Sequence, residues 1–433
     1  MMTVSTQYFQ LTATDARRAI EAGTLSAEDL ARACIARTAE REPVLRAWSY
    51  LDPRAVIDQA RELDKQLPRG KLHGIPIGIK DIINTRDMPT EHNSPIYRGQ
   101  RPSHDAACVE TLRAAGALIF GKTETLEFAD CGRAAPTRNP HDPMRTPGAS
   151  SAGSAAAVAD CHVPLALATQ TGGSAIRPAS YCGIHAFKPT WNVVSPEGVK
   201  LCSATCDTLA WYGRSVADLA LLCDVFGIED DTPPTAVDLA SGPIALCRSP
   251  VWDRTEPATR DALDAAARVL RDHGATIVEL ELPPEFAGLN VAHRTICASE
   301  ARAAFLNEYR AHFDLLHDEF RAKVENRAGH TRAALAEAHN LAARCRAEFD
   351  RIADDFAAVL TPSATGEAPV GVGVIGDAAL NRMWTLLHAP CVNLPAFVGP
   401  HGMPVGVTLT TRRYADRQIL QVAEAASAAF EGA

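Results

Sequence analysis

Several signatures are missing from this chain, and each absence removes a class of function. There is no C-x-x-C pair and no histidine and cysteine grouping at zinc spacing; the closest cysteines are Cys202 and Cys206. The 12 cysteines are spread too widely for a disulfide scaffold, so reduced, mostly buried thiols in a reducing compartment are expected, and no metal site. No run of lysine or arginine occurs either. The 52 acidic and 43 basic residues are interspersed, for a net charge of −9. With no basic stripe to follow a phosphate backbone, nucleic-acid binding is not expected. No stretch of about 18 apolar residues is present, and the first residues lack the basic start and apolar core of a secretory leader. The expectation is a soluble, cytoplasmic protein without membrane contact.

What is present is ordinary globular composition, 46% hydrophobic and 6% aromatic over 433 residues. A chain of that length buries roughly 75% of its unfolded surface and needs no staple. The pattern along it alternates helix and strand. Thr14-Asp15 and Ser26 ("SAEDL") read as caps of a helical lead-in over 1–65. "GIPIGIKDIINT" reads as a buried strand carrying Lys80 and Asp81 at its end. "SHDAACVETLRAAGALIFGKT" reads as a helix capped by Asp105 and stopped at Gly116, then a strand. "SSAGSAAAVAD" predicts a helix of small residues packed closely on a sheet, followed by a strand over "HVPLALATQ".

Further on, "GPIALCR" and "ATIVELEL" read as strands around a helix from Glu256 to His273. A mostly helical region covers 290–356, then strands at "AAVLTP" and "PVGVTLTT" and a closing helix over "DRQILQVAEAASAAF". This predicts an α/β fold in one large domain, 1–433, with a core at 66–220 and an elaborated stretch at 230–380.

The stretch "ATQTGGSAIRPASYCG", from Ala168 to Gly183, carries the chemistry. Alone, its glycines fit a plain strand-to-helix turn. It lacks the G-x-G-x-x-G and G-x-x-x-x-G-K-[ST] spacings of a phosphate cradle. The third reading makes Ser174 a nucleophile, with backbone N–H groups of the glycine loop as its oxyanion hole. Such a serine needs a base. No Ser-His-Asp arrangement stands out and no G-x-S-x-G elbow occurs. A lysine serves if burial lowers its pKa from about 10.4 toward neutrality, and Lys80 ends an apolar strand.

The ordered set "GIPIGIKD", "TPGASSAGSAAAVA" and "LALATQTGGSAIRPASYCGIHAFKPT" resembles the amidase signature family of serine hydrolases. The likeness is dense over 70–220, including "CDTLAWYGRSVADLALL", and looser in "AVLTPSATGEAP" and "VNLPAFVGPHGMPVGVTL". It implies a mixed central sheet covered by helices on both sides, and a hydrolase of non-peptide amide C–N bonds that uses no cofactor. By the resemblance Lys80 is the catalytic lysine, Ser150 the serine held in a cis peptide, and Ser174 the acylated nucleophile. Thr171, Gly172, Gly173 and Ser174 would supply the oxyanion hole. Ser151 and Ser154 would support the lysine or the loop, or cap a helix.

Three departures stand out. Ala149 and Ala152 replace the usual glycines of "GGSSGGS". Gln170 replaces an aspartate, and Arg177 falls three positions after the nucleophile instead of two. The last two features resemble the malonamidase-like branch, in which the corresponding arginine grips a substrate carboxylate. Arg177 therefore reads either as a carboxylate ligand or as a structural arginine on backbone carbonyls. The resemblance implies a free-standing amidase for a small amide such as malonamate, with a homodimer reasonable. The alternatives are the glutaminase component of a tRNA-dependent amidotransferase, which releases ammonia from glutamine for a partner, an allophanate- or urea-type hydrolase, and a non-catalytic binder of amides.

Overall fold

The short apolar runs bounded by glycine and proline form strands, and the longer periodic stretches form helices. The computed structural model describes residues 4–68, 70–232 and 238–432. The absence of a leader was read partly on residues 1–3, and the 230–380 stretch includes 233–237; these lie outside the described residues.

Eleven strands appear among the described residues: β1 (Trp48–Tyr50), β2 (Pro76–Lys80), β3 (Leu118–Thr123), β4 (Leu165–Gln170), β5 (His185–Lys188), β6 (Thr208–Gly213), β7 (Ile244–Leu246), β8 (Ile277–Glu279), β9 (Ala358–Pro362), β10 (Cys391–Val398) and β11 (Pro404–Thr410). They form one sheet in the order β1-β3-β2-β4-β6-β5-β10-β11-β9-β7-β8. The β3-β2-β4 and β9-β7-β8 groups are parallel and the remaining pairings antiparallel, so the sheet is mixed. Every residue of β2, β3 and β4 is buried. That pattern requires cover on both faces, and explains why these strands read as continuous apolar runs. The fold is thus the expected single α/β domain with helices flanking a large mixed sheet. No helix among the described residues is long and apolar enough to cross a membrane.

Two caps differ from expectation. The first helix, Ala13–Glu21, is capped by Thr12, whose side chain accepts from the N–H of Asp15, so Thr14 lies inside it. Asp105 does not cap the helix Ala107–Ala114; Ala106 holds that position. The Asp105 carboxylate instead accepts from the Arg86 N–H at 2.8 Å and from Arg113 Nε at 3.0 Å, where a guanidinium offers the stronger, charge-assisted bond. Ser26 caps the helix Ala27–Leu45 as expected.

The topology places the candidate site. β2 and β4 are parallel neighbours, with Ile79 opposite Leu167, so Lys80 and Gln170 end their strands at the same edge of the sheet. Open α/β sheets present their ligand sites at such carboxyl ends. The helices Ala152–Ala159 and Ile176–Cys182 follow the two serine loops. Close packing fixes the first of them: a Cβ at Gly153 would stand 2.3 Å from the Ala47 carbonyl oxygen.

Candidate active site

Lys80 closes β2 fully buried. Its Nζ lies 2.7 Å from Ser150 Oγ, 2.9 Å from Ser151 Oγ and 2.7 Å from Thr169 Oγ1. No carboxylate pairs with it among the described residues. Its neighbour Asp81 turns instead to Lys122, 3.0 Å away. Burial holds the Lys80 pKa well below the usual lysine value, an effect the Asp207 charge partly offsets. A neutral amine has two N–H groups and one lone pair, which matches three hydroxyl partners. Ser151 gives its own proton to the Thr169 carbonyl at 3.2 Å, so it accepts from the amine. Ser154 makes no hydrogen bond to the lysine; it bonds Thr123 Oγ1 and the Leu167 carbonyl.

The peptide between Ala149 and Ser150 is cis. The Ser150 carbonyl accepts from the Leu126 N–H at 3.2 Å and from Thr125 Oγ1 at 3.1 Å. The Ser151 N–H donates to the Ser174 carbonyl at 3.3 Å and ties the two serine loops together. Ala149 and Ala152 are buried and neither has a positive φ. The backbone at both positions therefore accepts a methyl group without requiring glycine.

The Ser174 loop is anchored through its carbonyls. That of Thr171 meets His293 Nε2 at 2.7 Å, that of Gly172 accepts from Thr385 Oγ1 at 2.8 Å, and that of Gly173 accepts from the Arg177 N–H at 3.1 Å. With the Ser151 bond, all four carbonyls from Thr171 to Ser174 are held. Their four N–H groups pair with no acceptor among the described residues. Fixing each carbonyl fixes the direction of the neighbouring N–H bonds, so the loop presents preorganised donors. Gln170 extends the frame: its Oε1 accepts from the N–H groups of Ala175 and Ile176, and its Nε2 donates to Thr385 Oγ1. Gly173 packs closely on Asn381: a Cβ there would fall 2.4 Å from Asn381 Oδ1 and press that side chain away.

Arg177 is buried, and both terminal nitrogens are engaged. Nη2 donates to the Ala149 carbonyl at 2.5 Å and Nη1 to the Gly376 carbonyl at 2.8 Å. It thus braces the cis peptide from the far side. Arg382 is differently placed. Its Cγ packs 3.7 Å from where a Cβ at Gly172 would stand, its closest carboxylate is Asp377 at 3.7 Å, and its guanidinium donors form no hydrogen bond among the described residues.

Arg382, His293 and Thr385 had no local signal in the sequence. His293 comes from the 230–380 stretch and Arg382 and Thr385 from just beyond it, and all three reach the loop only through the fold. The same holds for Cys206, His293 and Cys297, buried and gathered within 4.8 Å by their ligand atoms, a grouping that sequence spacing did not reveal. A cavity of about 10 Å³, one water in size, is lined by Thr169, Thr171 and Asp207. The larger 610 Å³ cleft at Val216, Arg417 and Leu420 is lined by none of the site residues.

A mixed α/β sheet with a buried lysine and serine cluster under a rigid glycine loop defines a class, the sheet-based hydrolases of amide bonds. The chain belongs to the amidase signature family: the family profile, described as Amidase, matches residues 29–420. The GatA-type component of the glutamyl-tRNA(Gln) amidotransferase of Chloroflexus aggregans is 33% identical over 477 residues, 97% of this chain and 96% of that one. The peptide amidase of Stenotrophomonas maltophilia superposes with a TM-score of 0.83 at 28% identity, over 98% of each chain. A further solved amidase superposes at 0.87 with 27% identity, over 96% of this chain and 99% of the other. The chain is a hydrolase of amide C–N bonds.

Proposed function

We propose that the chain forms an acyl-enzyme on Ser174, with Lys80 as base and Ser150 as the relay between them. The observation that carries this is the fully buried Lys80 amine, 2.7 Å from Ser150 Oγ and in no ion pair among the described residues. Neutral Lys80 takes the Ser150 proton, Ser150 takes that of Ser174, and Ser174 Oγ adds to the carbonyl carbon. The N–H groups of Thr171, Gly172, Gly173 and Ser174 receive the oxyanion. Collapse breaks the C–N bond, the relay returns a proton to the leaving amine, and water then hydrolyses the ester.

For the amide itself, the curated relatives favour the amidotransferase reading, with glutamine as donor, over malonamate. Arg177, both of whose terminal nitrogens serve backbone carbonyls, gives malonamate no support and reads as structural. Arg382, beside the loop, has guanidinium donors to give, which suits an amide bearing a carboxylate, as glutamine does. The free-standing amidase is the second reading, favoured by the likeness to the peptide amidase.

The test compares glutamine, succinamate and butyramide as substrates of wild type and Arg382→Ala, with and without the partner proteins of the source organism's amidotransferase. Loss of kcat/KM on both acid-bearing amides and not on butyramide supports the Arg382 reading; equal loss on all three refutes it. Glutamine turnover that rises with partners supports the amidotransferase reading, and turnover indifferent to them supports the free-standing amidase.

A further inference from the structure

The Ser174 loop rests on a second cluster with chemistry of its own. We propose that Cys206, His293 and Cys297 form a site for a thiophilic divalent cation, and that its occupation slows turnover by releasing Thr171. All three residues are buried and their ligand atoms lie within 4.8 Å of one another. Zinc bonded to sulfur at about 2.3 Å and to nitrogen at about 2.1 Å in tetrahedral geometry holds the two about 3.6 Å apart. Cys297 Sγ stands 3.5 Å from His293 Nε2. Two thiolates and an imidazole form a typical zinc donor set, and three protein ligands leave a fourth position for water.

The cluster is also prepared by the backbone. His293 and Cys297 sit one turn apart on one face of the helix Leu289–Ala304, and Cys206 comes from the segment entering β6. The Cys206 N–H is held by the Ser203 carbonyl at 3.1 Å. Closing the ligands on a cation requires the His293 ring to turn Nε2 away from the Thr171 carbonyl and toward the two sulfurs.

Occupation couples to the loop through the proton on His293. Nε2 now carries the hydrogen donated to the Thr171 carbonyl at 2.7 Å. A cation bound at Nε2 needs its lone pair, so the ring proton moves to Nδ1 and the bond to Thr171 is lost. The two thiols give their protons to solvent, which balances the charge of the divalent ion. Asp207, adjacent to Cys206, also accepts from Thr171 Oγ1 at 2.5 Å, so one tie on Thr171 runs to the cluster and the other to the residue next to it. The site lies outside the relay, and binding itself does not depend on the proposed reaction; only the inhibition does.

The experiment uses the full-length, chelator-treated protein titrated with Co2+ and then Zn2+. The expected result is one Co2+ per chain with thiolate-to-cobalt charge-transfer absorption, displaced by Zn2+. Cys206→Ser, Cys206→Ala and Cys297→Ser each lose that band or weaken binding at least about 10-fold. Zn2+ lowers kcat of wild type and leaves Cys206→Ser unaffected. No thiolate band in wild type, or a band that survives the cysteine variants, overturns the site. A band without any fall in kcat overturns the coupling to Thr171.

Discussion

Lys80 and Asp81 are adjacent in the chain yet serve opposite electrostatic ends: Lys80 meets only hydroxyls, while Asp81 neutralises Lys122 at 3.0 Å. Lys80 is the last residue of β2 and Asp81 follows it directly; successive side chains there point to opposite sides, which separates the amine from the adjacent carboxylate. Because burial lowers the Lys80 pKa, the neutral amine that the proposed mechanism needs is present above that value and lost below it. The kcat/KM profile is expected to fall as pH drops through it. Lys80→Met lowers kcat by about 10²- to 10⁴-fold, the range for a general base. Stability carries the same sign. The unfolded chain binds the extra proton, so unfolding free energy rises with pH between the lowered value and 10.5. Denaturation across that window should show the slope in wild type and a flatter one in Lys80→Met. Asp81→Asn strands the Lys122 charge and costs about 3–5 kcal/mol, read by denaturant melts.

The loop's carbonyl anchors predict a graded effect. Ser174→Ala retains the fold and loses acylation, measured as loss of labelling by an acylating inhibitor together with an unchanged melt. Thr385→Val removes the Gly172 anchor and leaves the four N–H groups in place. It should lower kcat by up to about 10²-fold, short of deleting an oxyanion donor outright, with little change in KM. An unchanged kcat would show that the anchor does not position the loop.

Much of this arrangement was legible because it is local. The run "GIPIGIK" ends in Lys80 and is β2; the small residues of "SSAGSAAAVAD" are the helix Ala152–Ala159. The helix read from Glu256 to His273 is Pro257–Asp272. What sequence did not show is contact at long range. Thr385 and His293 reach the loop from distant helices, and neither sits in a pattern that marks it. The two mistaken caps failed for a related reason. Thr14 and Asp105 have capping chemistry, but Asp105 found Arg86 and Arg113, and Thr14 gives its hydroxyl and N–H to Asp218.

Arg177 is expected to behave as a brace. Its two bonds to backbone carbonyls involve a charged donor, each contributing about 1.5–3 kcal/mol. Arg177→Ala should therefore lower the denaturation midpoint by an amount equivalent to about 3 kcal/mol or more. The ratio of kcat/KM for malonamate to that for propionamide should stay as in wild type. A collapse of that ratio with an unchanged melt would make Arg177 a carboxylate ligand after all.

The altered glycines of "GASSAGS" offer the sharpest contrast, because the structure distinguishes positions that need glycine from those that do not. At Gly153 a Cβ would stand 2.3 Å from the Ala47 carbonyl oxygen and 2.4 Å from the Glu124 nitrogen. These two atoms are themselves hydrogen bonded at 2.9 Å, so neither moves without opening the contact between the segments around β1 and β3. Overpacking against backbone costs about 1–3 kcal/mol or more. Gly153→Ala should lower stability by at least that much and shift the helix start that carries Ser150 and Ser151, so that kcat falls with it. Ala149→Gly and Ala152→Gly restore the family's residues where no positive φ demands them, and should cost no more than about 1 kcal/mol with turnover retained. Melts and turnover of the three variants side by side decide it: a neutral Gly153→Ala would mean that the small-residue helix does not depend on this close approach to hold Ser150.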